Sequence, residues 1–228
     1  MKLNQRKIFQ RLVNNQVNFI TIDGIACSGK TLFSNILKKK LKNTLIISKD
    51  IFLLPRNKRI KITKLLRRSC NNQNKIHYNL NRLKSLILFL IDGKKRKLVL
   101  KKLYNRKNGK NDLTKTFYYK PNRNIIYEGI YTNNDIKNII KPSVKILIIE
   151  SVYLSLFRKI ERIRDKKISI QNLTNEFLKI HLKSFLKYLE KNSFDLFYVD
   201  LKKNFTFFKN GKIKQINDIK KFLFKHQN

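Results

Sequence analysis

Gly24-Ile25-Ala26-Cys27-Ser28-Gly29-Lys30-Thr31 satisfies the phosphate-binding pattern G-x-x-x-x-G-K-[ST] at every fixed position. Just before it, Val17 to Ile22 read Val-Asn-Phe-Ile-Thr-Ile, an apolar, β-branched run of strand length. Just after it, Leu32, Phe33, Ile36, Leu37 and Leu41 recur at helical spacing, and Lys38, Lys39 and Lys40 sit near the C-terminal end. Strand, glycine loop and helix follow one another as the pattern requires. In such a loop successive backbone N–H groups turn inward, and the helix N-terminus adds positive potential, so phosphate oxygens are held there. The loop residues Gly24, Ile25, Ala26, Cys27, Ser28, Gly29, Lys30 and Thr31 are thus the expected nucleotide contacts. Lys30 would reach the β- and γ-phosphates of ATP, and the Thr31 hydroxyl would bind Mg²⁺.

Composition isolates this octet from the rest of the chain. Ala26 is the only alanine, and two of the six glycines lie here. Elsewhere Lys, Asn, Ile, Phe and Tyr are high, as A+T-rich codons would give. The net charge is +39, from 53 basic and 14 acidic residues. A charge of that size admits a nucleic-acid or anionic-membrane binder. The lysines are spread along the whole chain, however, and drift explains the missing alanines while RNA binding does not. No specific nucleic-acid partner and no membrane partner is therefore expected. Cys27 and Cys70 make no disulfide framework, and a cysteine inside the loop favours a reducing compartment. The N-terminus leads into no apolar signal region, and Leu86 to Ile91 is too short to span a bilayer. The chain reads as cytoplasmic, and the sequence leaves self-association into a homo-oligomer open.

Along the chain, strands alternate with helices, which predicts an α/β fold. It should have a parallel sheet of about five strands covered by helices on both faces. The length of 228 residues points to one domain, 1–228. Residues 1 to 14 form a short amphipathic helix. Thr44 to Ser48 is a second strand, Asn124 to Glu128 a third, Val144 to Ile149 a fourth and Leu196 to Val199 a fifth. Between the second and third lies a basic, weakly periodic insertion, about 54–121, read as helical or irregular. It carries one clear helix over Leu80 to Ile91 ending at Gly93, and a turn at Asn108-Gly109. The aromatics Phe117, Tyr118 and Tyr119 could stack a base or pack on the sheet. Helices are expected over 151–165 and 170–191. Phe205 to Phe208 and Ile213 to Ile216 read as a small C-terminal hairpin through Asn210-Gly211, and Ile219 to Phe224 as a last helix.

Two acids sit at strand ends. A carboxylate at the C-terminal end of a parallel strand points into the crevice where such sheets bind ligands, so Asp50 is a candidate base. A turn or N-cap role fits the same position. Glu128 ends the third strand, where an acid in a phosphate-loop enzyme holds Mg²⁺ through water. Arg158, Arg162 and Arg164 could clamp a transferring phosphoryl group or simply form a solvated face.

Taken in order, Ile22-Asp23-Gly24 through Thr31, Asp50-Ile51-Phe52-Leu53, Tyr104-Asn105, Ile126-Tyr127-Glu128-Gly129-Ile130-Tyr131, Arg164-Asp165 and Phe194-Asp195-Leu196 resemble the uridine kinase-like P-loop kinases, the uridine kinase and phosphoribulokinase group. The resemblance covers nearly the whole chain and implies an ATP- and Mg²⁺-dependent kinase of a small-molecule hydroxyl, with uridine or cytidine the favoured acceptor. It implies that Asp50 takes the proton of the acceptor hydroxyl, that Lys30 and Thr31 serve the phosphates and the metal, and that Glu128 lies near the metal. Arg158, Arg162 and Arg164 fall in an arginine-rich lid, about 158–170. Phe52 and Tyr104 fall among the acceptor contacts. Asn79, in His77-Tyr78-Asn79, and Asn105 each stand where the family has Asp. Those departures leave pantothenate, a nucleoside monophosphate or a sugar phosphate open as acceptors. A basic P-loop protein that binds RNA or a partner without turnover remains the rival reading, and Asp50 discriminates the two. Lys49, beside Asp50, would favour the ionised carboxylate if it pointed inward.

Overall fold

The computed structural model describes residues 19–66, 77–163, 169–201, 204–209 and 224. The expected helix over 1–14, Cys70, Arg164, Asp165, the Asn210-Gly211 turn and the segment Ile213 to Ile216 lie outside the described residues. So does all of the expected last helix except Phe224.

β1 (Phe19–Gly24) is buried at all six positions because it has a parallel neighbour on each edge and packed layers on each face. β5 (Asn124–Glu128) lies on one side of it and β6 (Val144–Ile149) on the other. Beyond β5 comes β2 (Thr44–Ser48), and beyond β6 comes β7 (Leu196–Leu201), all parallel. β8 (Asn204–Lys209) closes the edge antiparallel to β7, giving the order β2-β5-β1-β6-β7-β8. Five parallel strands match the sequence expectation. The sixth is the stretch containing Phe205 to Phe208, which pairs with β7 and so belongs to the main sheet.

Strand register sorts the core. One face carries Ile20, Ile22, Ile126, Ile146 and Ile148, and α1 (Lys30–Lys40) covers it with Phe33 and Leu37. The opposite face carries Phe19, Ile47, Ile125 and Tyr127 at one end. There α3 (Leu80–Asp92) packs with Leu83, Leu86, Ile87 and Leu90. At its other end Leu147 and Ile149 meet Phe177, Leu182, Phe185 and Leu189. After α6 (Ile170–Glu176), the first two come from a π-helical stretch Phe177–Leu182 and the last two from α7 (Lys183–Lys191). An ordinary helix over 170–191 would not place Phe177 and Leu182, five apart, on one face. The wider π turn does.

The insertion is more regular than expected. After α2 (Arg56–Leu66) and α3 come β3 (Lys97–Leu103) and β4 (Leu113–Tyr118), an antiparallel pair. Leu100, Leu103 and Phe117 of the pair pack on α3. The strand pattern is hidden in the sequence because the register shifts between Leu100 and Leu103, with Lys102 at φ 55°. That irregularity breaks the alternation by which a strand is read. Two further helices complete the described chain: α4 (Thr132–Ile136) after β5, and α5 (Val152–Ile163) after β6. Among the described residues no helix is long and apolar enough to cross a membrane.

Candidate active site

The loop between β1 and α1 is held tightly by its own residues. Gly29 sits at φ 88°, a left-handed conformation that L side chains rarely adopt, and starts α1. A Cβ on Gly24 would come within 2.6 Å of Ser28 Oγ and 2.9 Å of the Ile148 carbonyl oxygen, so only glycine fits against β6 there. Lys30 is buried, and its Nζ donates to the carbonyls of Gly24 (3.0 Å) and Ile25 (2.7 Å). Burial pushes its pKa down, opposed by the charges of Glu128, Asp50 and Asp23. Ile25 belongs to the core and Ala26 packs against it, while Thr31 is exposed on the first turn of α1.

Acids and arginines converge on this loop. Glu128 ends β5 beside Ser48 in the register and is buried. Burial raises its carboxyl pKa, against the pull of the Ser48 side chain and of Lys30. Asp50 lies on the 3₁₀ turn Lys49–Phe52 that follows β2, half-buried, with Arg106 Nη2 3.1 Å from its Oδ2. From α5, Arg158 Nη1 reaches the Glu150 carboxylate at 3.0 Å and the Cys27 carbonyl at 3.5 Å. Arg162 Nη1 lies 3.6 Å from Cys27 Sγ. Two of the three arginines named from the sequence thus stand over the phosphate loop, and the third, Arg164, lies outside the described residues.

Several positions named from the sequence have a different setting in the structure. Phe52 is buried in the core under α3, so it presents no surface to a ligand. Asn79 caps α3, its Oδ1 accepting from the Arg82 N–H at 3.3 Å. Asn105 shapes its own loop: Oδ1 accepts from the Lys107 N–H and Nδ2 donates to Asp112, both at 3.0 Å. Tyr104 is buried, its hydroxyl accepting from Arg59 at 2.8 Å, and its backbone N–H donates to Ile51 on the Asp50 turn. Lys49 does not turn its ammonium to Asp50. Its Nζ meets Asp135 Oδ2 at 2.7 Å and the Ile130 carbonyl at 2.8 Å, above the Tyr78 ring.

Sequence reasoning passed over Glu150, Arg59, Arg106 and the surroundings of Asp23. Asp23 is fully buried and accepts from the N–H and hydroxyl of Thr132 and from the Tyr188 hydroxyl. Burial raises its pKa in spite of those donors. It ties the start of the loop to α4 and α7. The one available signal was an acid in an otherwise apolar strand.

The residues suit a nucleotide. Ser28 Oγ is buried in the loop, beside Gly24, with no hydrogen-bond partner, an orphaned polar atom inside the phosphate-binding pattern. Among the described residues no group of three metal-ligating side chains occurs. The donors at hand are the Thr31 hydroxyl and Glu128, the small set with which Mg²⁺ is bound jointly with phosphate oxygens.

A parallel sheet with a glycine phosphate loop at its carboxyl end defines a P-loop nucleotide-binding protein. Residues 19–195 match the model of the phosphoribulokinase / uridine kinase family, and the chain belongs to that family; it is a kinase, with ATP the phosphoryl donor that the family uses. No curated protein matches the sequence. A possible uridine kinase from Bacillus stearothermophilus superposes with a TM-score of 0.55 at 16% identity, covering 81% of this chain and 87% of that one. D-glycerate 3-kinase from Cryptococcus neoformans gives 0.55 at 10% identity, covering 85% and 90%. Phosphoribulokinase from Rhodobacter spheroides gives 0.54 at 12% identity, covering 81% and 70%. At these identities the likeness is one of fold.

Proposed function

We propose that the chain transfers the γ-phosphoryl group of ATP to a hydroxyl of a small molecule, with Asp50 taking the hydroxyl's proton. The observation that carries this reading is a single electrostatic cluster. At the carboxyl end of the sheet the charges of Glu128 and Asp50 act on Lys30 of the phosphate loop, and those of Lys30 and Asp50 act on Glu128 at the end of β5. The loop amides and Lys30 would hold the phosphates, while Thr31 and Glu128 would hold Mg²⁺, which supplies charge neutralisation when bound. Asp50 is half-buried and so reaches both the loop and solvent, as a base must if it is to receive an entering hydroxyl. Arg158 and Arg162, held near Cys27, are the groups that would close over the phosphates and exclude water. The segment 54–121 would bind the acceptor. The nucleoside expected as acceptor rests on the sequence resemblance.

The test is ADP production from Mg-ATP with a panel of acceptors, for the wild type, Lys30→Ala and Asp50→Asn. Lys30→Ala should lose nucleotide binding and turnover together. Asp50→Asn should keep ATP binding and lose transfer by about 10²–10⁴-fold, the usual worth of a positioned base. Turnover indifferent to both substitutions would rule the reading out, while Lys30-dependent ATP binding with no turnover of any acceptor would favour a P-loop protein that binds without transfer.

A further inference from the structure

Glu150 is an acid that neither the phosphate loop nor the acceptor chemistry calls for. It directly follows β6, at the carboxyl end of the sheet, with its side chain 2% exposed. A carboxylate this close to the phosphate loop repels phosphate unless its own charge is met. Arg158 meets it. Oε2 accepts from Arg158 Nη1 at 3.0 Å and Oε1 from the Ser151 N–H at 2.9 Å, so both carboxylate oxygens are tied. The same Nη1 lies 3.5 Å from the Cys27 carbonyl of the loop. The start of α5 is firmly seated too. Val152 belongs to the buried cluster of Leu147 and Ile149, and Ser155, three residues before Arg158, is fully buried. The Arg158 side chain is 35% exposed, so part of the guanidinium stays open to an entering phosphate. Arg162, one turn on, is placed differently. It is exposed, lies 3.6 Å from Cys27 Sγ and pairs with no acid among the described residues.

Resting on the kinase reading above, we propose that Glu150 is a positioning residue: it fixes Arg158 at the phosphate loop before ATP binds, and Arg158 in turn covers its charge from the phosphates. Burial decides between a fixed and a mobile arginine. Drawing Arg158 away would strand a carboxylate that is 2% exposed, and an uncompensated buried charge is strongly destabilising. Phosphate therefore does not pull the guanidinium off the acid. Arg158 meets the nucleotide with Nη1 still on Glu150 and offers the donors that remain in its planar fork. A donor fixed in advance need not be ordered during transfer, which is how preorganised charge lowers a barrier. Of the two arginines near Cys27, only Arg162 then has to move to close over the phosphates.

The experiment measures equilibrium binding of Mg-ATP, and ADP production with uridine, cytidine, D-glycerate, pantothenate and ribulose 5-phosphate as acceptors. It uses the full chain, Glu150→Gln, Arg158→Ala and the double variant, with melting curves as the check on folding. Arg158→Ala removes a donor and uncovers Glu150, so it should weaken ATP binding by about tenfold or more, the scale of a lost charged hydrogen bond. Adding Glu150→Gln to it should recover part of that affinity. In the otherwise wild-type chain Glu150→Gln should leave ATP binding no weaker, because a negative charge is gone, yet lower kcat by about 10–10²-fold, as a misplaced group does. In the Arg158→Ala chain it should lower kcat no further. An acid that only supports the fold would weaken binding and turnover together, by the same factor in both backgrounds. That result, or a kcat indifferent to Glu150→Gln, would overturn the proposal. Should Arg158→Ala not fold, Arg158→Lys replaces it, keeping a charge on Glu150 without the fork. The combined loss in kcat should then fall short of the product of the two single losses, and a full product would overturn the proposal. A wild-type chain that binds ATP through Lys30 but turns over no acceptor would instead bring down the kinase reading. The recovery of affinity on adding Glu150→Gln, seen or not seen, would still decide whether Glu150 acts through Arg158. A chain that binds no ATP would bring down both.

Discussion

Glu128 is a buried carboxyl whose burial outweighs the help of Lys30, so its pKa lies above the ordinary 4.5. The folded chain therefore keeps this proton at pH values where the unfolded chain has released it. The stability so contributed is fully present below pH 4.5 and is lost as pH rises through the folded pKa. A glutamine cannot titrate. On going from pH 7 to pH 5, the melting temperature of the wild type should therefore gain more than that of Glu128→Gln, by about 2–4 °C for each kcal/mol of linkage at this chain length. Parallel melting curves across that range would show that the carboxyl is not strained. The same substitution should lower phosphoryl transfer, because a strained acid at a site is the usual cost of function. Gly24 makes a second test at this scale. A Cβ there would meet the Ile148 carbonyl at 2.9 Å, and backbone cannot yield as a side chain can. Gly24→Ala should cost about 1–3 kcal/mol in denaturant unfolding, as other overpacked sites do, and should weaken ATP binding. An alanine variant as stable as the wild type would mean that β1 and β6 can move apart.

Between elements, the buried pair of Lys49 and Asp135 joins the 3₁₀ turn that carries Asp50 to the helix α4. Tyr127 also donates to Asp135 at 2.8 Å, so the carboxylate is satisfied from two elements besides its own. The stem of Lys49 fills the space beside Gly129, where a Cβ would come within 2.6 Å of it. Removing one charge strands the other, so Asp135→Ala should destabilise by about 3–5 kcal/mol. The double variant Lys49→Met/Asp135→Leu should lose less than that, since neither charge is left alone. If denaturant unfolding shows the double variant to be as unstable as the sum of two singles, the pair is not coupled. This pairing also marks what the sequence could and could not show. The loop, β1, β2, β5, β6 and α3 were legible because their patterns are local: a glycine spacing, a β-branched run, leucines on one face. The β3–β4 pair was obscured by one irregularity at Lys102, and the π turn in 177–182 by a helical pattern that continues through it. Asp50 and Glu128 stand out in the sequence as candidates because strand ends are legible. The partners of Lys49, Asp23 and Arg158 were not, because each lies outside the element that carries the residue, and such pairing leaves no trace in spacing.

Over the whole molecule the net charge of +39 is the property most open to misreading. The lysines are distributed along the chain, and several lie on elements far apart in sequence, among them the last turn of α1 and the exposed positions of β3. A charge spread in this way attracts any polyanion by counterion release, without choosing among sequences. It follows that the chain should bind poly(U) and poly(A) alike at low salt. If a bound segment neutralises six to ten phosphates, its affinity should fall by roughly 10³–10⁵ between 50 and 200 mM salt. On the proposed function, transfer between small substrates would use Lys30 and Glu128, which are buried and therefore little screened, so it should change far less over the same range. Measuring poly(U) binding and ADP production side by side across that salt series separates the two effects. Binding that survives at 200 mM with a preference for one sequence would make the charge a recognition device, and would reopen the reading of this chain as an RNA-binding P-loop protein.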